Sequence, residues 1–541
     1  MRTRVTRRAA GIGALVTAVA LVATACGGGG GGGGAAGGSN PLEHTSRGSL
    51  EQMVRTDGAP AEPTGTLRVG SWISNTSFDP VAVSLIQGQN LHAVYDPLFQ
   101  IDADNQPVPW LVTEWDEPSD NSVRLTLRDD VVFHDGTPFD AAAVKVNLER
   151  AAQTTTSPNA NMYSLIESVT VESEYVAVVE FTRPYPNFYY NMATPAGMMV
   201  SPTAIQEGTD LARQPAGSGG WRWDAAGFVE GSKQVYTANP DYWNPDAVRV
   251  ETVEISILTD PTARLNAFTS GQIDVMSYVP DANKASVETA GTRVFSDLTI
   301  ATSLAILDRE GTVVPAFADE RVRKAIGLLL DREGFNASVL GDSGLPAGGF
   351  ASPTTEWHDE SLDDRALNVE RAKTLLAEAG YENGFSFDMP STTSIATAVV
   401  AIQQMLAAGG IEMNIVELPP SEYSAAQRNG ESPAAYLIPT AVDMDQWWTR
   451  SVSNNSPFNP FGLTDLGDLE QRYLDSLTLS GAERAPVMRE LQAEVIERGV
   501  IFPLSLRSRI AAASESVVAT QQPFFAPEDW SLRPHYLWLA G

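Results

Sequence analysis

A chain of 541 residues with one cysteine, Cys26, must hold itself together without disulfides. A single thiol excludes a disulfide framework and every metal site that needs two or more cysteines. The five scattered histidines suggest no metal cluster either. Stability then rests on buried apolar surface, and a chain this long can bury a large core unaided. The composition, 43% hydrophobic and 19% charged, is that of an ordinary globular protein. Its length suggests about two to four domains. Lys plus Arg total 36 against 67 Asp plus Glu, a formal net charge of −31. That balance excludes a general nucleic-acid binder, because phosphate affinity needs a basic face.

The first 25 residues read as a signal peptide. Arg2, Arg4, Arg7 and Arg8 precede the apolar stretch Ala9 to Val22, which is too short to span a membrane comfortably. Ala23, Thr24 and Ala25 then lead to Cys26. This arrangement resembles a bacterial lipoprotein signal, which implies lipidation of Cys26. Ala23 departs from the usual Leu, and the large aliphatic residues Leu21 and Val22 lie slightly upstream. The competing reading is plain secretion with a cut after Ala25. Residues 27–38 are Gly and Ala alone, and the segment 26–63 is expected to be a flexible tether. No later apolar run approaches 18 residues, so the expected location is the outer face of the cytoplasmic membrane, with membrane contact through the lipid only.

Beyond the tether the pattern is mixed. Val123, Leu125 and Leu127 alternate with Arg124, Thr126 and Arg128, a half-buried strand. Further strands are expected at 175–181 and 253–258. Asp260 followed by Pro261 reads as a helix N-cap with Pro in the first turn, and Gly271 as the stop. Val322, Ala325, Ile326 and Leu329 share a helical face. So do Ala372, Leu375, Leu376 and Ala379, between a cap at Asn368 and Gly380. Interspersed strands and helices point to an α/β architecture.

Several segments carry a family resemblance. The run from Leu125 to Arg150 passes from a strand through Val132-Phe133-His134-Asp135-Gly136 into a helix that Asp140 can cap. Phe78-Asp79-Pro80, Tyr95-Asp96-Pro97-Leu98, Pro109-Trp110-Leu111, Asn239-Pro240-Asp241-Tyr242-Trp243, the stretch Arg264 to Val275, Asp319 to Arg332, Ala372 to Tyr381 and Pro503-Leu504 follow in order. Together they resemble the extracytoplasmic solute-binding proteins of peptide- and nickel-type ABC importers. The resemblance implies a two-lobed α/β clamshell of the periplasmic-binding-protein type II, with an extra subdomain in the first lobe. The first lobe would comprise 64–106, 212–300 and the returning tail 510–541, the subdomain 107–211, and the second lobe 301–509. It implies no catalysis and no cofactor, a small-molecule or peptide ligand in the interlobe cleft, ABC permease subunits as partners, and a monomer.

Ligand contacts are expected at four places. Trp72, Ser74 and Asn75 follow the first strand, although Trp72 could equally be core. Gly219, Gly220 and Trp221 lie in a Gly-rich loop, where backbone can approach a ligand or simply turn. Tyr242-Trp243 reads as structural packing. The fourth place holds Asp443, Asp445 and Trp447. In peptide-binding members a Trp three residues before an Asp marks this region, and the Asp pairs with the peptide ammonium. Here Thr440 stands in the Trp position, so Asp443, or Asp445 in a shifted register, would take the role, and the alternatives to a peptide are another cationic or amphipathic solute, or a sugar, a metal chelate or an opine.

Other signals are weaker. Gly341-Asp342-Ser343-Gly344 spells a serine-protease tetrapeptide, which makes an anchored hydrolase with Ser343 as nucleophile the rival function, but the proteases that use it are all-β and rich in disulfides, whereas here it follows a helix in a cysteine-free body. Asp102-Ala103-Asp104-Asn105 lacks the glycine of a calcium loop. His134 reads as structural, and His358 has no partner ligand in sequence. A sensory receptor with the same clamp is a third reading.

Overall fold

Two strands of unusual length organise the molecule. Thr292–Ile306 and Ile501–Ser514 are 15 and 14 residues long and run antiparallel, from Thr292 opposite Ser514 to Ala305 opposite Ile501. In this computed structural model the described residues are 54–55, 57–102, 106–288, 292–341, 344–441, 443–453, 456, 459–461, 467–479, 481–520 and 532–540. Cys26 and the tether up to residue 53, Ala103 to Asn105 of the acidic turn, and Asp342-Ser343 lie outside them.

The two long strands belong to a nine-stranded mixed sheet. Its order is Ala434–Leu437, Thr292–Ile306, Ile501–Ser514, Val275–Met276, Thr66–Ser71, Thr252–Ile257, Lys233–Ala238 and Trp221–Trp223, with Gly344–Pro346 also pairing with Ile501–Ser514. At one end of the long pair, Ala512 and Ala513 bond to Val275–Met276. At the other, Ser303 to Ile306 bond to Ala434–Leu437. One pair of strands therefore serves two separate bodies of protein. The register slips by one residue between Leu298 and Ile300, and again between Thr302 and Ser303 opposite Pro503. Such bulges bend and twist a strand locally.

The cores change hands at the same level. Phe295 and Ala511 belong to a cluster with Leu67, Val69, Tyr95, Trp221 and Tyr236, which is the first lobe. Leu298 and Leu506 belong to another with Phe317, Ile326, Leu376, Ile402 and Trp447, the second lobe. A third cluster runs from Val81 to Met199. It is built on a four-stranded antiparallel sheet ordered Val112–Ser119, Ser122–Leu127, Val176–Phe181 and Ile166–Ser173.

Local sequence explains these elements. Val123, Leu125 and Leu127 are buried while Arg124 and Thr126 are only half-buried, so the alternation faces one side into the core. The helix Ala141–Gln153 covers that sheet with Val144 and Leu148, and the Asp140 carboxylate accepts from Ala143 N at 2.8 Å. Asp260 caps Pro261–Thr269 through Ala263 N at 2.7 Å. Asn368 caps Val369–Glu378 through Arg371 N at 2.9 Å. Each cap satisfies an amide that the first helical turn leaves without a partner. Phe385–Ser391 and Ile411–Glu417 pair in parallel across the helix Ala396–Ala407, a β-α-β unit of the second lobe. Among the described residues no helix is long and apolar enough to cross a membrane.

Candidate functional site

The second lobe delivers two carboxylates to one place. After the strand Ala434–Leu437 the chain follows the long strand Thr292–Ile306 back: Ala301 N bonds Pro439 O, and Ala441 N bonds Thr299 O, both at 2.9 Å. The helix Met444–Ser451 then starts, with Asp443 as its N-cap accepting from Gln446 N at 2.9 Å. Asp443 and Asp445 are only 6% and 7% exposed. Buried carboxylates need partners, and the two find different ones.

Asp445 is gripped by Arg484 of the helix Gly481–Glu497. Nη1 donates to Oδ2 at 2.5 Å, and Nη2 donates to Oδ1. The guanidinium also donates from Nε to Ser476 Oγ at 3.3 Å and lies 5.9 Å from the centre of the Tyr473 ring. Burial disfavours the Arg484 charge, but Asp445 more than offsets this and its pKa is raised. Tyr473 stacks on Trp448 at 4.9 Å with 12° between planes, and Trp448 Nε1 donates to Glu470 at 3.2 Å. Trp447 is fully buried against Phe350, 4.8 Å between centroids.

Asp443 finds its partner on the other side. Asn187, which precedes the short helix Phe188–Asn191 of the subdomain, donates from Nδ2 to Asp443 Oδ2 at 2.6 Å. This bond joins residues 256 positions apart and connects the subdomain to the second lobe. Nearby, the Tyr185 hydroxyl donates to Met162 O at 2.7 Å and accepts from Asn191 Nδ2 at 2.6 Å. Burial, and then the charges of Asp443 and Asp445, push the Tyr185 pKa up. Burial, with Asp445 adding to it, pushes Asp443 up to about 6.

The first lobe contributes Trp72. It follows the strand Thr66–Ser71 and lies 5.0 Å from the Tyr278 ring. The Tyr278 hydroxyl accepts from Arg507 Nη2 at 3.0 Å, and Arg507 also pairs with Asp281 at 2.9 Å. Arg507 stands opposite Ile300, which in turn bridges to Thr440. The Trp72 and Asp443 corners thus flank one row of the long strand pair. The indole N–H groups of Trp72 and Trp447 are both buried without an acceptor among the described residues. Ser74 donates to Asn75 O at 3.4 Å, and Asn75 donates to Ser77 O at 2.9 Å and accepts from Gln234, so their polar groups are engaged locally.

Gly219, Gly220 and Trp221 are placed differently, inside the first lobe. A Cβ on Gly219 would sit 2.6 Å from the Val94 carbonyl carbon, and one on Gly220 would sit 2.7 Å from Val248 Cγ2. The close approach that demands glycine at 219 is therefore to the protein's own backbone. Trp221 is fully buried and donates to Val250 O at 2.9 Å. This loop closes on Asp96, which is completely buried. Asp96 Oδ1 accepts from Trp110 Nε1 and Tyr242 OH, both at 2.9 Å. Its Oδ2 accepts from Ser218 Oγ at 3.0 Å and Trp243 Nε1 at 3.4 Å. The sequence segments around Tyr95, Trp110, Gly219 and Tyr242 meet at this one carboxylate, whose pKa burial raises despite the four donors.

Asn187, Arg484 and Tyr473 escape a reading of the sequence. Asn187 sits in Pro184-Tyr185-Pro186-Asn187, which signals a turn but not a site. Arg484 lies on a helix distant in sequence from Asp445, with no local cue. His134 Nε2 donates to Gly219 O at 2.8 Å, and burial lowers its pKa to about 4. Among the described residues no group of three or more His, Cys, Asp or Glu side chains could hold a metal ion.

Comparison with known proteins places this geometry in context. The family described as bacterial extracellular solute-binding proteins, family 5 middle, matches residues 106–462. The glutathione-binding protein GsiB of Pectobacterium atrosepticum is 25% identical over 363 residues, covering 65% of this chain and 68% of its own. Among solved structures, the PBP AgaA of A. tumefaciens R10 in complex with agropinic acid superposes with a TM-score of 0.75 at 21% identity, covering 88% of this chain and 99% of that one. The periplasmic binding protein DppA of Helicobacter pylori, in complex with the peptide STSA, gives 0.73 at 20% identity, covering 89% and 99%. The fold they share is the two-lobed α/β architecture of type II periplasmic binding proteins.

Proposed function

The chain belongs to the bacterial extracellular solute-binding proteins, family 5, and on that premise we propose that it captures a small solute bearing an ammonium group, a short peptide first among candidates, between Asn187 and Asp443. Proteins of this family are the substrate-binding components of ABC importers, not enzymes. The observation that carries the reading is the hydrogen bond from Asn187 to Asp443, a neutral donor reaching a buried carboxylate from the opposing subdomain. A solute ammonium offers the same kind of donor and adds the positive charge that a buried carboxylate lacks. The indole N–H of Trp72, without an acceptor among the described residues, suits a carbonyl or carboxylate oxygen of the same solute. Ser74, Asn75, Gly219, Gly220 and Trp221 would act indirectly, by fixing the walls on which Trp72 and the subdomain stand.

Binding energy is used to hold the lobes together about the long strand pair, and the closed form is what membrane permease subunits would accept. A lipid on Cys26 and the tether to residue 63 would keep the receptor near that permease and raise its effective concentration. Among the similar proteins described above, GsiB is named for binding glutathione and DppA was solved with a peptide, which keeps peptides first among the candidates.

The test is mass spectrometry of solutes released from the purified protein, followed by calorimetric titration of what is found. Release of short peptides that fail to bind Asp443→Asn supports the reading. A released solute without an amine, bound equally by Asp443→Asn, would refute it.

A further inference from the structure

We propose that Arg484 sets the charge capacity of this site: by holding Asp445 with both guanidinium nitrogens it leaves one uncompensated carboxylate, Asp443, and selects a solute head with one positive charge over a head with two. The proposal rests on the reading that Asp443 receives a cation. It extends that reading to a specificity residue that touches no solute.

The argument begins with charge. Asp443 and Asp445 flank the first turn of one helix and are nearly inaccessible to water. Alone they would present two negative charges to the same small volume and would suit a dication. Arg484 is 4% exposed at its side chain and stays charged, since guanidinium does not lose its proton in proteins. Its bidentate grip on Asp445 cancels one of the two charges. Ser476 and the Tyr473 ring hold the guanidinium from its remaining sides, so it is fixed rather than shared. Tyr473 and Tyr185, the other ionisable groups packed here, have pKa values raised by burial and stay neutral. Arg183, half-buried, acts on both tyrosines from a position partly open to solvent.

Hydrogen bonds give the same division of labour. Both Asp445 oxygens are taken by Arg484. On Asp443, Oδ1 serves its own helix through Gln446, and Oδ2 meets the amide of Asn187. An amide can be displaced by a solute, whereas the Arg484 pair cannot open without leaving a buried charge alone. This division favours Asp443 over Asp445 as the residue that receives the solute.

The experiment compares calorimetric titrations of the full chain with Ala-Ala-Ala, N-acetyl-Ala-Ala-Ala and Lys-Ala-Ala. Wild type should prefer Ala-Ala-Ala to both of the others. Asp445→Asn leaves Arg484 free to neutralise Asp443 and should weaken Ala-Ala-Ala more than ~10-fold. Adding Arg484→Met to Asp445→Asn restores one net negative charge and should bring affinity back within ~3-fold of wild type. A merely structural role for the pair would not produce that rescue. Asp445→Asn binding like wild type, or a double variant that does not recover, overturns the proposal. If Asp445→Asn fails to fold by circular dichroism, the double variant decides: single-charge preference supports the proposal, and a switch to Lys-Ala-Ala or lost binding overturns it. If wild type does not distinguish Ala-Ala-Ala from its acetylated form, the ammonium reading itself fails and the proposal with it.

Discussion

Asp96 and Asp443 are both buried carboxylates with no cation bonded to them among the described residues, yet they differ in who supplies their donors. Asp96 accepts from Trp110, Ser218, Tyr242 and Trp243, all within the first lobe and its subdomain. Asp443 accepts from its own helix and from a single amide on the opposing subdomain. Four fixed donors make the first a structural knot that a moving lobe does not disturb. The second has an oxygen whose donor is Asn187, across the interface, and a parting of the lobes would remove that donor. A buried charge is equally expensive in both settings, and the difference lies in whether the compensation is permanent or can be exchanged.

The largest way to break this contrast is Asp96→Ala. It should orphan four buried donors and cost about 3–5 kcal/mol of stability, seen as a lower denaturant midpoint. A loss under ~1 kcal/mol would show that the knot is not structural. Asp443→Asn should do the reverse. Stability at neutral pH should hold or rise, because a buried charge is removed, while affinity for an amine-bearing solute falls about 100-fold or more. Calorimetry and thermal melts on the same sample would check both halves.

The third effect is one of pH. Burial raises Asp443 to about 6, so the folded state holds its proton more tightly than the unfolded chain. The stabilisation linked to that proton is complete below about pH 4 and is lost as pH rises through about 6. The stability of wild type minus that of Asp443→Asn should therefore fall by about 2 kcal/mol between pH 4 and 7. A flat difference would place Asp443 in water. The smallest effect belongs to Asn187→Ala, which removes one hydrogen bond to a carboxylate. It should cost about 1 kcal/mol or less in stability and a few-fold in solute affinity, and an affinity loss as large as that of Asp443→Asn would assign Asn187 a direct hold on the solute.

These two carboxylates also mark what the sequence makes legible. Helix caps at Asp140, Asp260 and Asn368 and the alternation at Val123, Leu125 and Leu127 are short-range, and each reads directly. Family resemblance points to Asp443. What it cannot convey is the pairing of Asp443 with Asn187 or of Asp445 with Arg484, since no local pattern encodes a partner 256 or 39 residues away. The Gly-rich loop shows a subtler gap. Glycine at 219 correctly signals a close backbone approach, but sequence does not say to what, and here the neighbour is Val94. Tyr242-Trp243, read as packing, does pack, yet its polar atoms reach Asp96 as well.

The long antiparallel pair Thr292–Ile306 and Ile501–Ser514 has a mechanical consequence. Thirteen residue pairs hold its register, and sliding it by one position would turn every side chain to the opposite face. Slippage of one strand along the other is therefore closed off, while bending and twisting at the bulges remain soft. A body with its sliding freedoms removed retraces one arc. A closure that follows this arc would bring Asn187 back to the same oxygen of Asp443 each time.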